Sequence, residues 1–293
     1  MALQIDTLKT RSFTALIFVI VMLCGLLINY WTFFILFSII HFGCWFEYQK
    51  IVGLINKSYS SISTIHKYLV MLCGWGFMLF MCNPKFQFQK IFITEIGKWL
   101  SITSFSLLIL SEIFTKNPDK LKNLFNSLLG LLYISLSWGL MIHLRNHGML
   151  FKGKSLFFDF GFALPILLIA SIWINDTMAY LVGSLIGKNP LSSISPKKTW
   201  EGTIGGAILC VALISFLVSF YIDYSLFYLA LTVSTLASIF GTLGDLLESK
   251  LKRLANIKDS GSFMPGHGGF LDRFDSLLIA TPTVCLAIYC FFS

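Results

Sequence analysis

The sequence predicts an all-α, polytopic membrane protein with about nine transmembrane helices. Only 12% of its 293 residues are charged, against roughly a quarter in soluble domains, and 56% are hydrophobic. The mean hydropathy is +0.79. So few charges cannot cover the surface of a soluble protein, which excludes a soluble enzyme, a secreted disulfide scaffold and a disordered chain. The third observation is a series of long charge-free runs, because a helix needs about 20 apolar residues to cross the hydrocarbon core.

These runs give the predicted spans in order. Residues 12–46 contain no charge, and Asn29 to Trp31 in their middle favour two helices joined by a short hairpin. The other spans are predicted at residues 68–82, 100–114, 123–144, 162–187, 203–221, 224–243 and 276–292. Residues 85–98 are interpreted as an interfacial helix. With the amino terminus inside, the loops 188–202 and 245–275 are cytoplasmic, which places the predicted active-site cleft at the cytoplasmic mouth of the C-terminal helices.

The seven cysteines do not indicate a zinc site or a disulfide framework, and the net charge of +8 does not indicate a nucleic-acid partner. No cysteine pair has the CxxC spacing of a zinc site, and an odd number fits no complete set of disulfides. The positive charges are dispersed between the spans. This distribution favours contact with anionic lipid head groups over nucleic acid, so no nucleic-acid partner is expected.

The positions of the candidate functional residues divide the chain into two parts. Residues 1–155 form N-terminal transmembrane helices without an identifiable motif, and residues 156–293 form the C-terminal catalytic region. In the first part, Glu47, Glu95 and Glu112 lie near predicted span ends, where polar side chains are commonly interfacial. We therefore expect no chemistry from them.

Charge collects between Asp245 and Asp275, where ten of 31 residues are charged. Asp245, Ser249 and Arg253 recur at four-residue steps, which puts them on one helical face. The run Pro-Gly-His-Gly-Gly at residues 265–269 lacks the side chains that keep a backbone away from a bulky anion. Carboxylates alternating with lysine and arginine are typical of sites that combine phosphate with Mg²⁺.

A second cluster lies upstream. Asp176 interrupts the apolar run 162–187, where an ionisable group is costly unless it is paired, hydrated or metal-bound. The loop 188–202 follows with Ser195, Lys197 and Lys198, whose hydroxyl and ammonium groups suit a phosphate.

At fixed spacing, these residues resemble the phosphatidate cytidylyltransferase family, also called CDP-diacylglycerol synthases. The family signature is matched by Ser249, Lys252-Arg253, Lys258-Asp259, residues 265–269, and Asp272-Arg273-Phe274-Asp275, with Gly244-Asp245, residues 195–202 and residues 176–180 upstream. Met178 stands where the family commonly has Gly, and Met264 where Leu is usual. Both departures are apolar and leave the charged pattern intact.

The resemblance implies transfer of CMP from CTP to phosphatidate, which gives CDP-diacylglycerol and pyrophosphate and requires Mg²⁺, with a monovalent ion such as K⁺ beside it. It implies catalytic roles for Asp245, Asp272, Lys252 and Arg253, and metal binding by Asp245, Asp272 and Asp275. The substrate-binding residues that it implies are Ser249, Lys258, Asp259, His267, Gly268, Gly269, Arg273, Ser195, Lys197, Lys198 and Asp176. Lys197 and Lys198 are expected to bind either pyrophosphate or the lipid phosphate. His267 is expected to donate a hydrogen bond either to a phosphate or within its own turn.

Two other functions stay open at this point. A CTP-dependent polyprenol or phytol kinase would pass the γ-phosphate to an alcohol and release CDP. A transporter would line a path with Asp176 and the C-terminal carboxylates, but it does not need so many phosphate-type donors. The expected location is the cell membrane (the inner membrane in a bacterium), with a homodimer left open as the oligomeric state.

Overall fold

The structure, a computed structural model, describes residues 5–88, 90–115, 117–147, 160–263 and 268–292. Regular structure in these residues is almost entirely helical, which confirms the all-α prediction. The helices are α1 (Ile5–Leu27), α2 (Tyr30–Ile55), α3 (Lys57–Ser60), α4 (Thr64–Phe80), α5 (Ile93–Phe114), α6 (Lys120–Gly130), α7 (Leu136–His147), α8 (Ala163–Ile186), α9 (Trp200–Tyr221), α10 (Phe227–Leu254) and α11 (Leu271–Phe292). A π-helical turn, Leu131–Ser135, joins α6 to α7.

The spans agree with their predicted positions. In the described part of the chain, seven helical segments are long and apolar enough to cross a membrane: Tyr30–Ile55, Ile93–Phe114, Lys120–Asn146, Ala163–Ile186, Trp200–Tyr221, Tyr224–Leu254 and Leu271–Phe292. Two shorter apolar helices, Thr14–Leu27 and Thr64–Phe80, lie at the first and third predicted spans. Each of the nine predicted spans therefore coincides with an apolar helix, although two of these are shorter than a full crossing. The chain is a multi-pass membrane protein.

The predicted hairpin between the first two helices is confirmed, and its cause is a capping box. The Asn29 side chain accepts a hydrogen bond from the Thr32 backbone N–H at 2.9 Å, and the Thr32 hydroxyl accepts one from the Asn29 backbone N–H at 3.1 Å. Because these bonds satisfy two of the donors left open at a helix start, α2 begins immediately after the turn.

The interfacial helix predicted for residues 85–98 is wrong. Gln87–Phe88 pairs antiparallel with Ile91–Phe92 in a short hairpin, and α5 begins at Ile93. Lys90 lies in the turn with φ of 70°, a left-handed conformation that a helix does not contain. The turn therefore interrupts the helical pattern that the sequence favours.

The chain forms two compact units, and each is described by itself. The first comprises Met1–Asn146 and Leu254–Phe274, and the second His147–Arg253 and Asp275–Ser293. Residues 254–263 and 268–274 are thus grouped with the N-terminal helices, and the predicted division of the chain at residue 155 stays a prediction. The Phe274 ring lies 5.6 Å from that of Trp138 and 5.9 Å from that of Phe18, measured between centroids.

A buried chain of hydrogen-bonded polar side chains lies in the first unit. The Nδ1 atom of His66 lies 2.6 Å from Oε1 of Glu112, and its Nε2 atom lies 2.7 Å from the Ser127 hydroxyl. The Tyr59 hydroxyl lies 3.0 Å from that of Ser127 and extends this chain. His66 and Glu112 lie near helix ends as expected, but they are inside the unit rather than at an interface.

In the second unit, α8 and α9 approach closely through small residues. A Cβ atom at Gly206 would lie 2.5 Å from the backbone nitrogen of Ala179, and one at Gly202 would lie 2.8 Å from the Cα of Gly183. Backbones in a membrane pack this closely only where side chains are absent. The contact fixes α8 against the start of α9 and the loop that precedes it.

We expect Gly206→Val to separate these helices, because its side chain would overlap the Ala179 backbone rather than a movable side chain. Overpacking of this kind destabilises a protein by about 1–3 kcal/mol. Thermal unfolding in detergent measures the effect. Ile208→Val, two residues along α9 and 63% exposed, is the control and should leave Tm nearly unchanged. Equal Tm values for the two variants would contradict the close packing.

Candidate active site

The second unit contains a cavity of about 340 Å³ at one end of α8. Its walls come from α8, α9, α10 and the loop before α9. The lining residues are Asn175, Asp176, Ala179, Tyr180, Gly183, Ser184, Lys197, Lys198, Thr199, Thr203, Thr242 and Asp245. Four of the predicted site residues, Asp176, Lys197, Lys198 and Asp245, therefore line one cavity.

An ion pair lies in this cavity. The Lys198 ammonium contacts the Asp245 carboxylate, and both side chains are only about a quarter exposed, at 28% and 26%. Ser249 donates a hydrogen bond from its hydroxyl to the other Asp245 oxygen at 3.3 Å. The pair of Asp245 and Ser249 confirms the helical face predicted from their four-residue spacing. The lysine and the serine together hold Asp245 in one orientation.

Two further carboxylates are within electrostatic range of this pair. Asp176 interacts with Lys198 and Asp245, and Asp275 interacts with Asp245, Lys198 and Lys252. Asp275 reaches this position because α10 and α11 nearly touch at Gly244, where a Cβ atom would lie 2.5 Å from the Asp275 carbonyl oxygen. Three carboxylates around a lysine repel one another, and a bound cation relieves that repulsion.

The donor chemistry of these carboxylates fits Mg²⁺. Magnesium prefers oxygen ligands and is commonly held by one or two carboxylates together with substrate phosphates and water. Among the described residues, no three His, Cys, Asp or Glu side chains come close enough to hold a metal by themselves. Asp245 and Asp275 therefore suit a site that the phosphates of a substrate complete.

The loop that carries the two lysines is tied to the start of α9. Asn189 donates from its side chain to Glu201 at 2.7 Å, and the backbone N–H of Lys188 donates to the same carboxylate at 3.2 Å. Thr199 caps α9 by accepting from the Gly202 N–H at 3.1 Å. These bonds hold both ends of the loop at the start of α9. Lys197 and Lys198 therefore lie in a segment whose two ends are fixed.

Asp272 belongs to the first unit, where it organises a turn. Its Oδ2 atom accepts hydrogen bonds from the backbone N–H groups of Ser260 and Gly269, both at 2.8 Å, and lies 2.9 Å from the Ser260 hydroxyl. Gly268, in the same turn, has φ of +84°, a conformation that favours glycine. The predicted metal-binding role of Asp272 stays a prediction beside this structural one.

Glu47 is a residue that the sequence interpretation missed. Its carboxylate accepts from the backbone N–H groups of Phe270 and Leu271, both at 2.8 Å, and from the Ser260 hydroxyl at 2.6 Å. All of these residues are in the first unit. Because α2 extends to Ile55, Glu47 lies inside a spanning helix and not at its end. An acidic side chain in that position needs a hydrogen-bond donor or a cation beside it, and this requirement could have identified Glu47.

The remaining predicted residues do not line the cavity. Lys252 pairs with Glu248, which is fully buried, on the same face of α10. Ser195 is half-buried in the loop before α9. Exposed side chains are found at Arg253, Lys258, Asp259 and Arg273. His267 lies outside the residues that the structure describes, so its predicted role is not tested.

The cavity also contains polar residues that were not predicted. Asn175 is 3% exposed, and its side-chain oxygen has no hydrogen-bond partner among the described residues. Thr203 and Thr242 add hydroxyl groups from α9 and α10. The position of Asn175 beside Asp176 was a usable signal. The two threonines resemble ordinary helix residues, since each hydroxyl bonds a carbonyl four residues earlier.

Comparison with known families gives a match over nearly the whole chain. A profile of the Cytidylyltransferase family matches residues 9–291. The match includes the cavity residues, the α10 face and the Glu47 cluster.

Curated relatives agree with this match. The phosphatidate cytidylyltransferase of Staphylococcus haemolyticus is 49% identical over 113 residues, which are 38% of this chain and 43% of that protein. Those of Staphylococcus epidermidis and Staphylococcus saprophyticus are 35% and 32% identical over 197 residues, 64% of this chain and 70% of each relative. The chain thus spans less than half of the first relative in alignment and about two thirds of the other two. On the profile match and on the two longer alignments, this chain belongs to the cytidylyltransferase family.

Proposed function

We propose that this chain is a phosphatidate cytidylyltransferase, which transfers CMP from CTP to phosphatidate and releases pyrophosphate. The observation that carries the proposal is the cavity in which Lys197, Lys198 and Asp245 meet, in a chain matched by the family from residue 9 to residue 291. The relatives that align over 197 residues have the same activity in their names.

The reaction is an in-line displacement at the α-phosphorus of CTP. A phosphate oxygen of phosphatidate forms the new P–O bond while the bond to the β-phosphate oxygen breaks, and pyrophosphate leaves on the opposite side. Phosphatidate is already ionised near neutral pH, so the attacking oxygen needs no strong general base. What the protein must supply is the positioning of two polyanions and the screening of their repulsion.

The cavity residues suit these two tasks. Lys198 carries a positive charge beside Asp245, and Lys197 adds an exposed second one at the rim. Thr203, Thr242 and the unpartnered oxygen of Asn175 offer hydrogen bonds for orientation. Lys197 and Lys198 bind pyrophosphate or the lipid phosphate, whereas Lys252 on the α10 face serves the phosphates of CTP.

Mg²⁺ belongs to the proposal as the cofactor, held by Asp245 and Asp275, with Asp272 as the further carboxylate that the family motif supplies. When bound, the ion neutralises charge on the phosphates of CTP. A monovalent ion such as K⁺ beside it is proposed on the family resemblance alone. The chain's own task is to hold these carboxylates at fixed positions, as Lys198 and Ser249 do for Asp245.

A membrane-spanning enzyme suits this pair of substrates. Phosphatidate keeps its acyl chains in the leaflet while its phosphate lies at the interface, and CTP arrives from the cytoplasm. A polar cavity at one end of a helix bundle lets the two meet without extraction of the lipid. Lysines at the helix ends favour a membrane surface rich in anionic lipids.

The direct test is an assay of the purified full chain with CTP and phosphatidate in mixed micelles. We expect CDP-diacylglycerol and pyrophosphate in equal amounts, with no product after EDTA and recovery on addition of Mg²⁺. A polyprenol in place of phosphatidate is the comparison substrate. Release of CDP without pyrophosphate would instead support a CTP-dependent kinase and overturn the proposal.

Asp245→Asn tests the carboxylate of the cavity. The change preserves shape but removes the charge, so it weakens the contact with Lys198 and the proposed hold on the metal. We expect kcat to fall about 100- to 1,000-fold, the usual loss when one electrostatic group at a reacting phosphate is removed. Excess Mg²⁺ should not restore it fully.

The matched control for this change is Asp223→Asn. Asp223 accepts from the Ser225 N–H at 2.8 Å before α10, does not line the cavity, and can be replaced by Asn in this capping role. Wild-type turnover in Asp223→Asn with a large loss in Asp245→Asn supports the assignment. Wild-type turnover in both removes Asp245 from the mechanism.

Lys197→Ala tests the loop before α9. Lys197 lines the cavity and is exposed, so its loss should weaken the binding of one substrate without disturbing the fold. A charge-assisted hydrogen bond contributes about 1.5–3 kcal/mol, which corresponds to roughly a 10- to 150-fold rise in KM for that substrate. Lys188→Ala, an exposed lysine of the same loop that does not line the cavity, should change neither KM. Unchanged KM values for both substrates in Lys197→Ala would place the loop outside the site.

A further inference from the structure

We propose that Glu47 is a positioning residue for the transfer reaction, because its carboxylate holds the segment that presents Asp272. The inference rests on the proposed function for its effect on turnover. Its structural content, a clamp made of Glu47, Ser260 and Asp272, is independent of which substrate is used. We call these three residues the carboxylate clamp.

The clamp joins parts of the chain that are far apart in sequence. Glu47 lies on α2, 213 residues before Ser260 and 224 before Leu271. Three donors nevertheless reach its carboxylate at 2.6–2.8 Å. Hydrogen bonds to an ionised carboxylate are short and contribute more than neutral ones, so this contact is a strong constraint on where α11 begins.

The carboxylate clamp binds backbone groups at residue 260 and at residues 269–271. Ser260 lies before the Pro-Gly-His-Gly-Gly run, whose last residue is Gly269, and Phe270 and Leu271 follow it. The two carboxylates bind backbone groups on both sides. Glu47 holds the N–H groups of Phe270 and Leu271, and Asp272 holds those of Ser260 and Gly269. Four backbone donors therefore converge on two side chains.

Ser260 couples the two acids. Its hydroxyl is fully buried, at 2.6 Å from a Glu47 oxygen and 2.9 Å from Asp272 Oδ2. The Ser260 hydroxyl has one proton, and the two carboxylates compete for it. A change at Glu47 therefore alters the hydrogen bond that Asp272 receives from Ser260. This is the route by which an acid on α2 acts on Asp272.

Two glycines make room for Glu47. A Cβ atom at Gly261 or at Gly269 would overlap its carboxylate. Glycine at these positions thus leaves the space that the Glu47 carboxylate occupies. The Glu47 carboxylate therefore lies directly against the turn.

The test compares Glu47→Gln with Glu47→Asp in the full chain, reconstituted in nanodiscs. Gln keeps the volume but turns an amide N–H₂ toward backbone donors, whereas Asp keeps the charge with shorter reach. We expect Glu47→Gln to lower kcat about 10- to 100-fold, the usual effect of removing a group that orients a ligand of the site. KM for CTP should change far less, and Glu47→Asp should recover part of the loss.

Hydrogen–deuterium exchange supplies a readout that does not depend on activity. In Glu47→Gln, the amides of Phe270 and Leu271 should lose protection, while the amides in the middle of α2 keep theirs. Glu95→Gln is the matched control, because Glu95 is a half-exposed acid in the first turn of α5 whose ion pair, within the described part of the chain, is with nearby Lys98. It should leave kcat, Tm and exchange unchanged.

These readouts separate the possible failures. Wild-type kcat in Glu47→Gln overturns the positioning role, as does a loss of kcat that matches a general fall in Tm and protection. If the unaltered chain makes no CDP-diacylglycerol, the proposed function fails. In that case, unchanged exchange at Phe270 and Leu271 overturns the clamp, and a local loss of protection supports it.

Discussion

A chain that buries most of its length in lipid must give every charge a partner, and this constraint accounts for the arrangement of its polar groups. An unpaired charge in a spanning segment costs several kcal/mol. Lys198 and Asp245 satisfy each other, as do Lys252 and Glu248. Glu47 uses backbone donors in place of a cation. The same requirement that keeps the fold stable therefore fixes the groups that the chemistry needs.

Close helix packing provides the second condition. Gly202 and Gly206 allow α9 to lie directly against α8, and Gly244 allows α10 to lie against α11. Carboxylates from α8 and α10 and lysines from the loop before α9 can converge on one small cavity only if the backbones come this near. The glycines are thus as necessary to the site as the charged residues, although they contribute no chemistry.

The spacing of charges predicted most of the fold and the centre of the cavity. Charge-free runs are a direct consequence of lipid, so the nine apolar helices could be placed from composition. The face of Asp245 and Ser249 followed from helical period, and Asp176 from its cost in an apolar run. Contacts between residues far apart in the sequence could not be predicted from charge spacing or hydropathy. The residues around Glu47 do not indicate hydrogen-bond donors more than 200 residues away. The hairpin near Lys90 was missed because a left-handed turn residue has no hydropathy signal.

The ion pair of Lys198 and Asp245 has a further consequence for the proposed reaction. In the structure each group neutralises the other, so neither Lys198 nor Asp245 is a bare charge in the cavity. A nucleotide phosphate and a divalent cation that arrive together are a matching pair of opposite charges. In the proposed complex Lys198 would contact the phosphate and Asp245 would hold the cation, so each charge would have a new partner of opposite sign. In the proposed reaction neither group would be left as an isolated charge, which would lower the desolvation cost of binding a strongly anionic nucleotide.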